Sequence, residues 1–400
     1  MIQDPGGRLD LDDVALFRAL PQVGRQLPWV RLGDWPTPVE PVAALGEVWA
    51  KREDLTAARY GGNKVRTLEA MFGRARAAGA TRMWATGAYG SNHAVATVLH
   101  AGTAGLDAGA IVFPQPASEP ALANAAALLS ARPRVIAIDS VVALPFAMAA
   151  TRRRTRGGEV PYVMPPGGAT PEGALGALSA AFELAEQAAR HELPWPRRVV
   201  IAVGSGCSSA GLLAGFHLAH SLGLAPRPPI VTAVRVTPWP VTSRLRIANL
   251  ARGALALVDR LRGADSGVGY RALVAGLEVD GRWLGKGYGR TTAAGERTAV
   301  RMHAIGGPRV DCVYTAKSAA ALAELAAREP DPEGRLDVLK HLALTFPHEA
   351  ETAIRAWAHG DERVALVQAR VDEQRRRVVA EAEIPRHLAE QLPRAARGAS

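Results

Sequence analysis

Cysteine is nearly missing from this chain: Cys207 and Cys312 are its only two among 400 residues. Two thiols cannot build a disulfide framework, and neither sits in a metal-holding spacing, so a reducing compartment fits. Long hydrophobic runs are missing as well. No uncharged apolar stretch reaches membrane-spanning length, and residues 1–7 lack the basic start and apolar run of an export signal. Together these absences predict a soluble, cytoplasmic protein with no membrane contact. There is no internal repeat, no nucleic-acid module, and no interleaving of basic with aromatic residues. The net charge of +10, from 48 basic against 38 acidic residues, therefore reads as an arginine-rich solvated surface. No nucleic-acid partner is expected.

What is present is the composition of a folded protein, 48% hydrophobic and 22% charged, over a length that suits two domains. Strand-like runs alternate with amphipathic helical stretches, which predicts an α/β protein of open, mainly parallel sheets with helices on both faces. Residues 197–203 read as a strand, 204–209 as a glycine-serine turn and 210–220 as a helix. A second unit runs from a strand at 82–86, through a break at 87–90, into a helix at 92–100; another strand follows at 110–113. Pro- and Gly-rich stretches at 35–38, 113–116 and 165–168 punctuate the chain. From about residue 360 onward, a charged helix precedes a polar tail.

The sharpest chemistry lies in Gly61-Gly62-Asn63-Lys64. Glycines adopt backbone angles closed to other residues, so the lysine is presented from a constrained turn at a helix start. An amine held that way can form a Schiff base with an aldehyde cofactor, although the string alone also suits an exposed turn lysine. The stretch 204–211, between a buried strand and a helix, clusters backbone N–H donors where the helix dipole favours an anion. On its own it is equally a tight turn. Ser91-Asn92-His93 opens another helix, with Ser91 at the N-cap.

Read in order, the stretches 51–66, 86–93, 165–176, 204–211, 287–289 and 311–317 resemble the motifs of pyridoxal-phosphate enzymes of the tryptophan synthase β fold, fold type II. Within that fold they are most similar to the 1-aminocyclopropane-1-carboxylate deaminase and D-cysteine desulfhydrase family. The resemblance implies pyridoxal 5'-phosphate as cofactor, with Lys64 as its covalent anchor and as the base for the substrate α-proton. It implies cofactor contacts from Asn63, Asn92, Gly204, Ser205, Gly206, Cys207, Ser208, Thr315 and Thr345, with Asn92 at the phenolic oxygen. Ser91, Asn92, His93, Tyr288 and Tyr314 are implied to meet a small amino-acid substrate. Ser91 and the two tyrosines are further implied in catalysis, core packing being the other reading of the tyrosines. The implied layout is a large cofactor-binding domain of residues 1–65 and 161–360, a small inserted domain of 66–160, and a helical extension over 361–400. A homodimer is the expected assembly.

Three departures from the family pattern bear on function. Cys207 and Ser208 stand where a glycine and a threonine are usual. Thr315 stands where ring-opening deaminases carry a glutamate; a neutral hydroxyl leaves the pyridine less electron-withdrawing, which favours β-elimination over cleavage of a carbon–carbon bond. Phe346-Pro347 follows Thr345 where the family carries two glycines. The expected function is α,β-elimination on a small amino acid, as in D-cysteine desulfhydrase. Ring-opening deamination and β-replacement remain open, as does a catalytically reduced member serving as a binding partner.

Overall fold

The computed structural model describes residues 11–42, 45, 48–153, 158–304, 307–308, 310–328 and 338–342. Thr345, Phe346-Pro347 and the helical extension expected over 361–400 lie outside them. The described strands are β1 (Val39–Pro41), β2 (Val48–Arg52), β3 (Arg82–Ala88), β4 (Asp107–Phe113), β5 (Arg134–Ala137), β6 (Pro161–Val163), β7 (Arg198–Val203), β8 (Ile230–Arg235), β9 (Leu277–Asp280) and β10 (Val338–Leu342). They form a six-stranded sheet of order β1-β2-β10-β7-β8-β9 and a four-stranded sheet of order β5-β4-β3-β6. Every pairing is parallel except β1 with β2. Parallel sheets need helical crossovers that cover their faces, and the strands here carry the near-continuous burial this requires: Met83 to Ala88 are all buried.

The larger core gathers around two helices, Pro171–Ala189 and Cys207–Ser221, which approach closely because glycines face the partner backbone. A Cβ on Gly211 would stand 2.2 Å from the Ala174 carbonyl oxygen, and one on Gly215 would stand 2.5 Å from that of Leu178. Gly176 serves helix Lys64–Ala77 in the same way, since its Cβ would lie 2.0 Å from the Arg66 carbonyl oxygen. These contacts fix the helix that begins at Lys64 and the helix that begins at Cys207 against the same third helix, Pro171–Ala189. Phe17, Leu178, Phe182, Ile201, Leu212 and Phe216 fill the space between, each no more than 2% exposed. Such side chains contribute about 1.5–3 kcal/mol apiece relative to exposure.

In the four-stranded sheet, buried Trp84 lies over Gly109, where a Cβ would come within 2.5 Å of the indole. The sheet also takes in β6, three residues beyond the edge at 160 that the sequence suggested, because Arg82–Trp84 pair with Pro161–Val163. Helix Lys64–Ala77, although it runs past residue 66, packs on helix Pro171–Ala189 beside the larger sheet.

Candidate active site

Three glycine-bearing turns converge on one cavity of about 640 Å³. The first presents Lys64. Gly62 has a φ of 125°, a region that favours glycine, and a Cβ on Gly61 would meet the Asp54 carbonyl oxygen at 2.1 Å. The Thr56 hydroxyl staples the turn, accepting from the Gly62 N–H at 2.7 Å and donating to the Gly62 carbonyl at 3.2 Å. Helix Lys64–Ala77 therefore starts on the lysine itself.

The second turn follows β7. Gly206 adopts φ 87° at the N-cap of helix Cys207–Ser221 and has no side chain to cap it, while the Ser205 hydroxyl accepts from the Cys207 N–H at 3.4 Å. The N–H groups at the positive end of a helix dipole suit an anion. Cys207 is the first residue of this helix. Its thiol turns to the Gly168 carbonyl at 3.3 Å and is 1% exposed. Asn63 ties the first two turns together by donating from Nδ2 to the Ser208 hydroxyl at 2.9 Å.

The third turn follows β3. Ser91 caps helix Asn92–Ala101, accepting from the Ala94 N–H at 3.4 Å, and Gly87 leaves it room, since a Cβ there would stand 2.7 Å from the Ser91 Oγ. Capping and facing the cavity are thus compatible for this serine.

Lys64, Asn63, Ser91, Asn92, His93, Gly204, Ser205, Gly206, Cys207, Ser208, Tyr288, Tyr314 and Thr315 all line the cavity. Of the residues implied to meet cofactor or substrate, Thr345 alone falls outside the described residues. Sequence reading passed over Arg246, Tyr60 and Thr86, which line it too. Arg246 donates to the Ser205 and Val241 carbonyls at 2.8 and 2.7 Å, beside the start of helix Cys207–Ser221. No local pattern marks it, because both partners come from other loops. Tyr60 adjoins the glycine pair, and that adjacency was a usable signal.

Burial pushes Lys64 below the ordinary 10.5, and no carboxylate pairs with it among the described residues. His93 is 2% exposed, with both ring nitrogens unpartnered. Burial, then the nearby Lys64, takes it down to about 3, so it stays neutral. Tyr314 donates to the Tyr288 hydroxyl at 2.7 Å, their rings edge-on with centroids 6.2 Å apart. Burial raises both phenols, which keeps their protons in place. Asp311 accepts from the backbone N–H groups of Val313, Tyr314 and Thr315 at 2.7–3.0 Å, and from the Thr315 hydroxyl at 2.5 Å. A carboxylate therefore stands behind Thr315 without lining the main cavity. A helix N-terminus, an amine whose pKa burial lowers and unpartnered imidazole nitrogens together fit an anionic aldehyde.

Residues 30–338 match the family of pyridoxal-phosphate dependent enzymes. The chain belongs to this family. Its cofactor is pyridoxal 5'-phosphate, and the fold is that of the type II enzymes. Nocardicin C-9' epimerase of Nocardia uniformis is 38% identical over 58% of this chain and 70% of its own length. A putative 1-aminocyclopropane-1-carboxylate deaminase of Pyrococcus horikoshii is 36% identical over 48% of this chain, which spans only 60% of that relative's length. D-cysteine desulfhydrase of Salmonella paratyphi C is 31% identical over 74% of this chain and 88% of its own. Among solved structures, an ACC deaminase homologue superposes with a TM-score of 0.67 at 27% identity, covering 82% of this chain and 94% of that one.

The lowered Lys64 has a measurable consequence. Only a neutral amine attacks an aldehyde, and a depressed pKa shifts the rise of the neutral fraction with pH to lower values. Stopped-flow mixing of apoprotein with pyridoxal 5'-phosphate should give an anchoring rate that rises with pH through a midpoint below 10.5. A midpoint at or above that value would contradict the burial of the amine.

Proposed function

We propose that the chain is a lyase that carries out α,β-elimination on a small amino acid, with D-cysteine as the leading substrate. In this reading Lys64 holds the cofactor covalently, the N–H groups at the start of helix Cys207–Ser221 receive its phosphate, and Asn92 donates to its phenolic oxygen. When bound, pyridoxal phosphate supplies an electron sink for charge developing at the substrate Cα. The Lys64 amine, whose pKa burial lowers, accepts the α-proton. Ser91 holds the substrate carboxylate, and the Tyr314–Tyr288 pair offers a proton to the departing β-substituent. With cysteine and one water, the balanced products are pyruvate, hydrogen sulfide and ammonia.

The observation that carries this reading is the meeting of three groups on one cavity: an amine whose pKa burial lowers, the N-terminal end of helix Cys207–Ser221 and a hydrogen-bonded phenol pair. Thr315 favours elimination, since the side chain at this place in the cavity wall is uncharged, while Asp311, which is bonded to its hydroxyl, does not line the cavity. The test is to incubate protein and cofactor with D-cysteine, L-cysteine and 1-aminocyclopropane-1-carboxylate and to assay keto acid and sulfide. Pyruvate with equimolar sulfide from D-cysteine is expected; 2-oxobutyrate from the cyclopropane would favour ring opening instead. Tyr288→Phe should lower turnover about 100-fold while the cofactor stays bound, the scale of losing one positioned acid.

A second reading follows from the 38% identity to a protein named as an epimerase. Epimerisation needs the α-proton to leave and return with no bond to the β-substituent broken, and the amine and the phenols are both available for that. Deuterium exchange at Cα in heavy water, without any keto acid, would favour it over elimination.

A further inference from the structure

Asn92 owes its orientation to a residue that no motif marks. Asn124, in helix Glu119–Ser130, is 3% exposed. Its Nδ2 donates to the Gly90 carbonyl at 2.9 Å and to Asn92 Oδ1. Its Oδ1 accepts from the Tyr60 hydroxyl at 3.2 Å, and the same hydroxyl reaches Asn92 Oδ1 at 3.4 Å. A backbone carbonyl only accepts, so Gly90 determines which end of the Asn124 amide faces it. That end is the NH2 group, and it faces Asn92 as well. Asn92 must answer with its oxygen, which leaves its own Nδ2 for the opposite side, and Asn92 lines the main cavity.

We infer that Asn124 is a positioning residue that holds the Asn92 amide with its N–H groups toward the cofactor's phenolic oxygen. This rests on the reading that the cavity holds pyridoxal phosphate with that oxygen at Asn92. An asparagine amide released from its partners can turn by half a rotation at little cost and offer a carbonyl instead, which repels an anionic oxygen. A donor to the oxygen stabilises it most when the adjacent nitrogen of the Lys64 linkage is uncharged. Donation therefore lowers the proton affinity of that linkage, and losing the donor raises it.

The test uses the full chain with added pyridoxal 5'-phosphate and reads two quantities, the pH midpoint of the cofactor's visible absorbance and its retention through dialysis. Asn124→Ala should move the midpoint up by about one unit, about tenfold in proton affinity, and weaken retention. Asn124→Asp is nearly isosteric and guards against a folding failure. Its carboxylate can only accept, so it draws the Asn92 NH2 inward and turns the carbonyl to the cavity; its shift should exceed that of alanine. With Asn92 already alanine, adding Asn124→Ala should move the midpoint no further.

Midpoints equal to wild type in both Asn124 variants would overturn the assignment. So would a full shift from Asn124→Ala in the Asn92→Ala background, because Asn124 would then act through helix packing. Wild-type protein that develops no visible band with the cofactor would sink the underlying reading of the cavity, an outcome distinct from a normal wild-type band with unresponsive variants.

Discussion

Lys64→Ala should leave a folded protein whose turnover falls by at least about 10,000-fold, because one substitution removes both the covalent anchor and the base that moves the α-proton. The fold should tolerate the change. Lys64 has no carboxylate partner among the described residues, and burial already disfavours its charge, so truncation breaks no ion pair. Thermal midpoints equal to or above wild type are therefore expected alongside lost activity. That pairing separates a chemical role from a structural one, since a lysine that merely packed the turn would lose stability and activity together. The Thr56 staple and the close approach of Gly61 to Asp54 do not involve the amine, so the turn should persist. The visible spectrum of the variant with added pyridoxal 5'-phosphate should match that of the free aldehyde, and dialysis should remove the cofactor. Wild-type turnover with an unchanged spectrum would remove Lys64 from the mechanism.

The parts of this site legible in the sequence are those that depend on local backbone demands. Gly61, Gly62 and Gly206 are required where they stand by a positive φ or by a close carbonyl, and such requirements leave a mark in a short string. The strand-turn-helix units were legible for the same reason, although helix Cys207–Ser221 starts three residues before the apolar run suggested, because Cys207, Ser208 and Ser209 are themselves buried helical positions. Residues whose role comes from distant partners left no such mark. Arg246 meets carbonyls of two other loops, and Asn124 meets Gly90, 34 positions away. Asp311 was noticed only as the start of a motif; its capping of helix Thr315–Arg328 and its bond to the Thr315 hydroxyl put a carboxylate behind a corner that sequence alone read as neutral. The direction of the Cys207 thiol was equally hidden, since it depends on where Gly168 folds back. Strand β10 lies between β2 and β7 in the sheet, a placement no periodicity of five residues can announce.

Glu183→Ala should cost about 3–5 kcal/mol of stability, the range found when one partner of a buried ion pair is removed. Four charges meet behind the Lys64 turn, from Lys51, Glu53, Arg66 and Glu183, and none of their side chains is more than 2% exposed. Arg66 bonds both carboxylates in forked fashion, at 2.6 and 2.8 Å to Glu53 and at 2.7 and 2.9 Å to Glu183, with its guanidinium 3.9 Å over the Trp35 ring. Lys51 completes the set at 3.0 Å from Glu183. Two cations balance two anions, so deleting Glu183 leaves an uncompensated positive charge away from water. Lys51 can relieve part of this by losing its proton, because burial already pushes its pKa down; the cost should therefore fall toward the lower end of the range. Against the cost of burial, Arg66 and then Lys51 hold the Glu183 carboxyl below its ordinary 4.5. Its stabilising contribution is therefore present above that value and lost as pH falls through the lower folded one, so the gap between variant and wild type should narrow in acid. Urea midpoints at neutral and acid pH measure both effects. Activity should suffer as well, for Arg66 lies two residues beyond Lys64 on the same helix, and Glu183 is what locks that helix to Pro171–Ala189. A neutral-pH loss under about 1 kcal/mol would mean that the cluster is wetter than its burial indicates, with each charge solvated on its own.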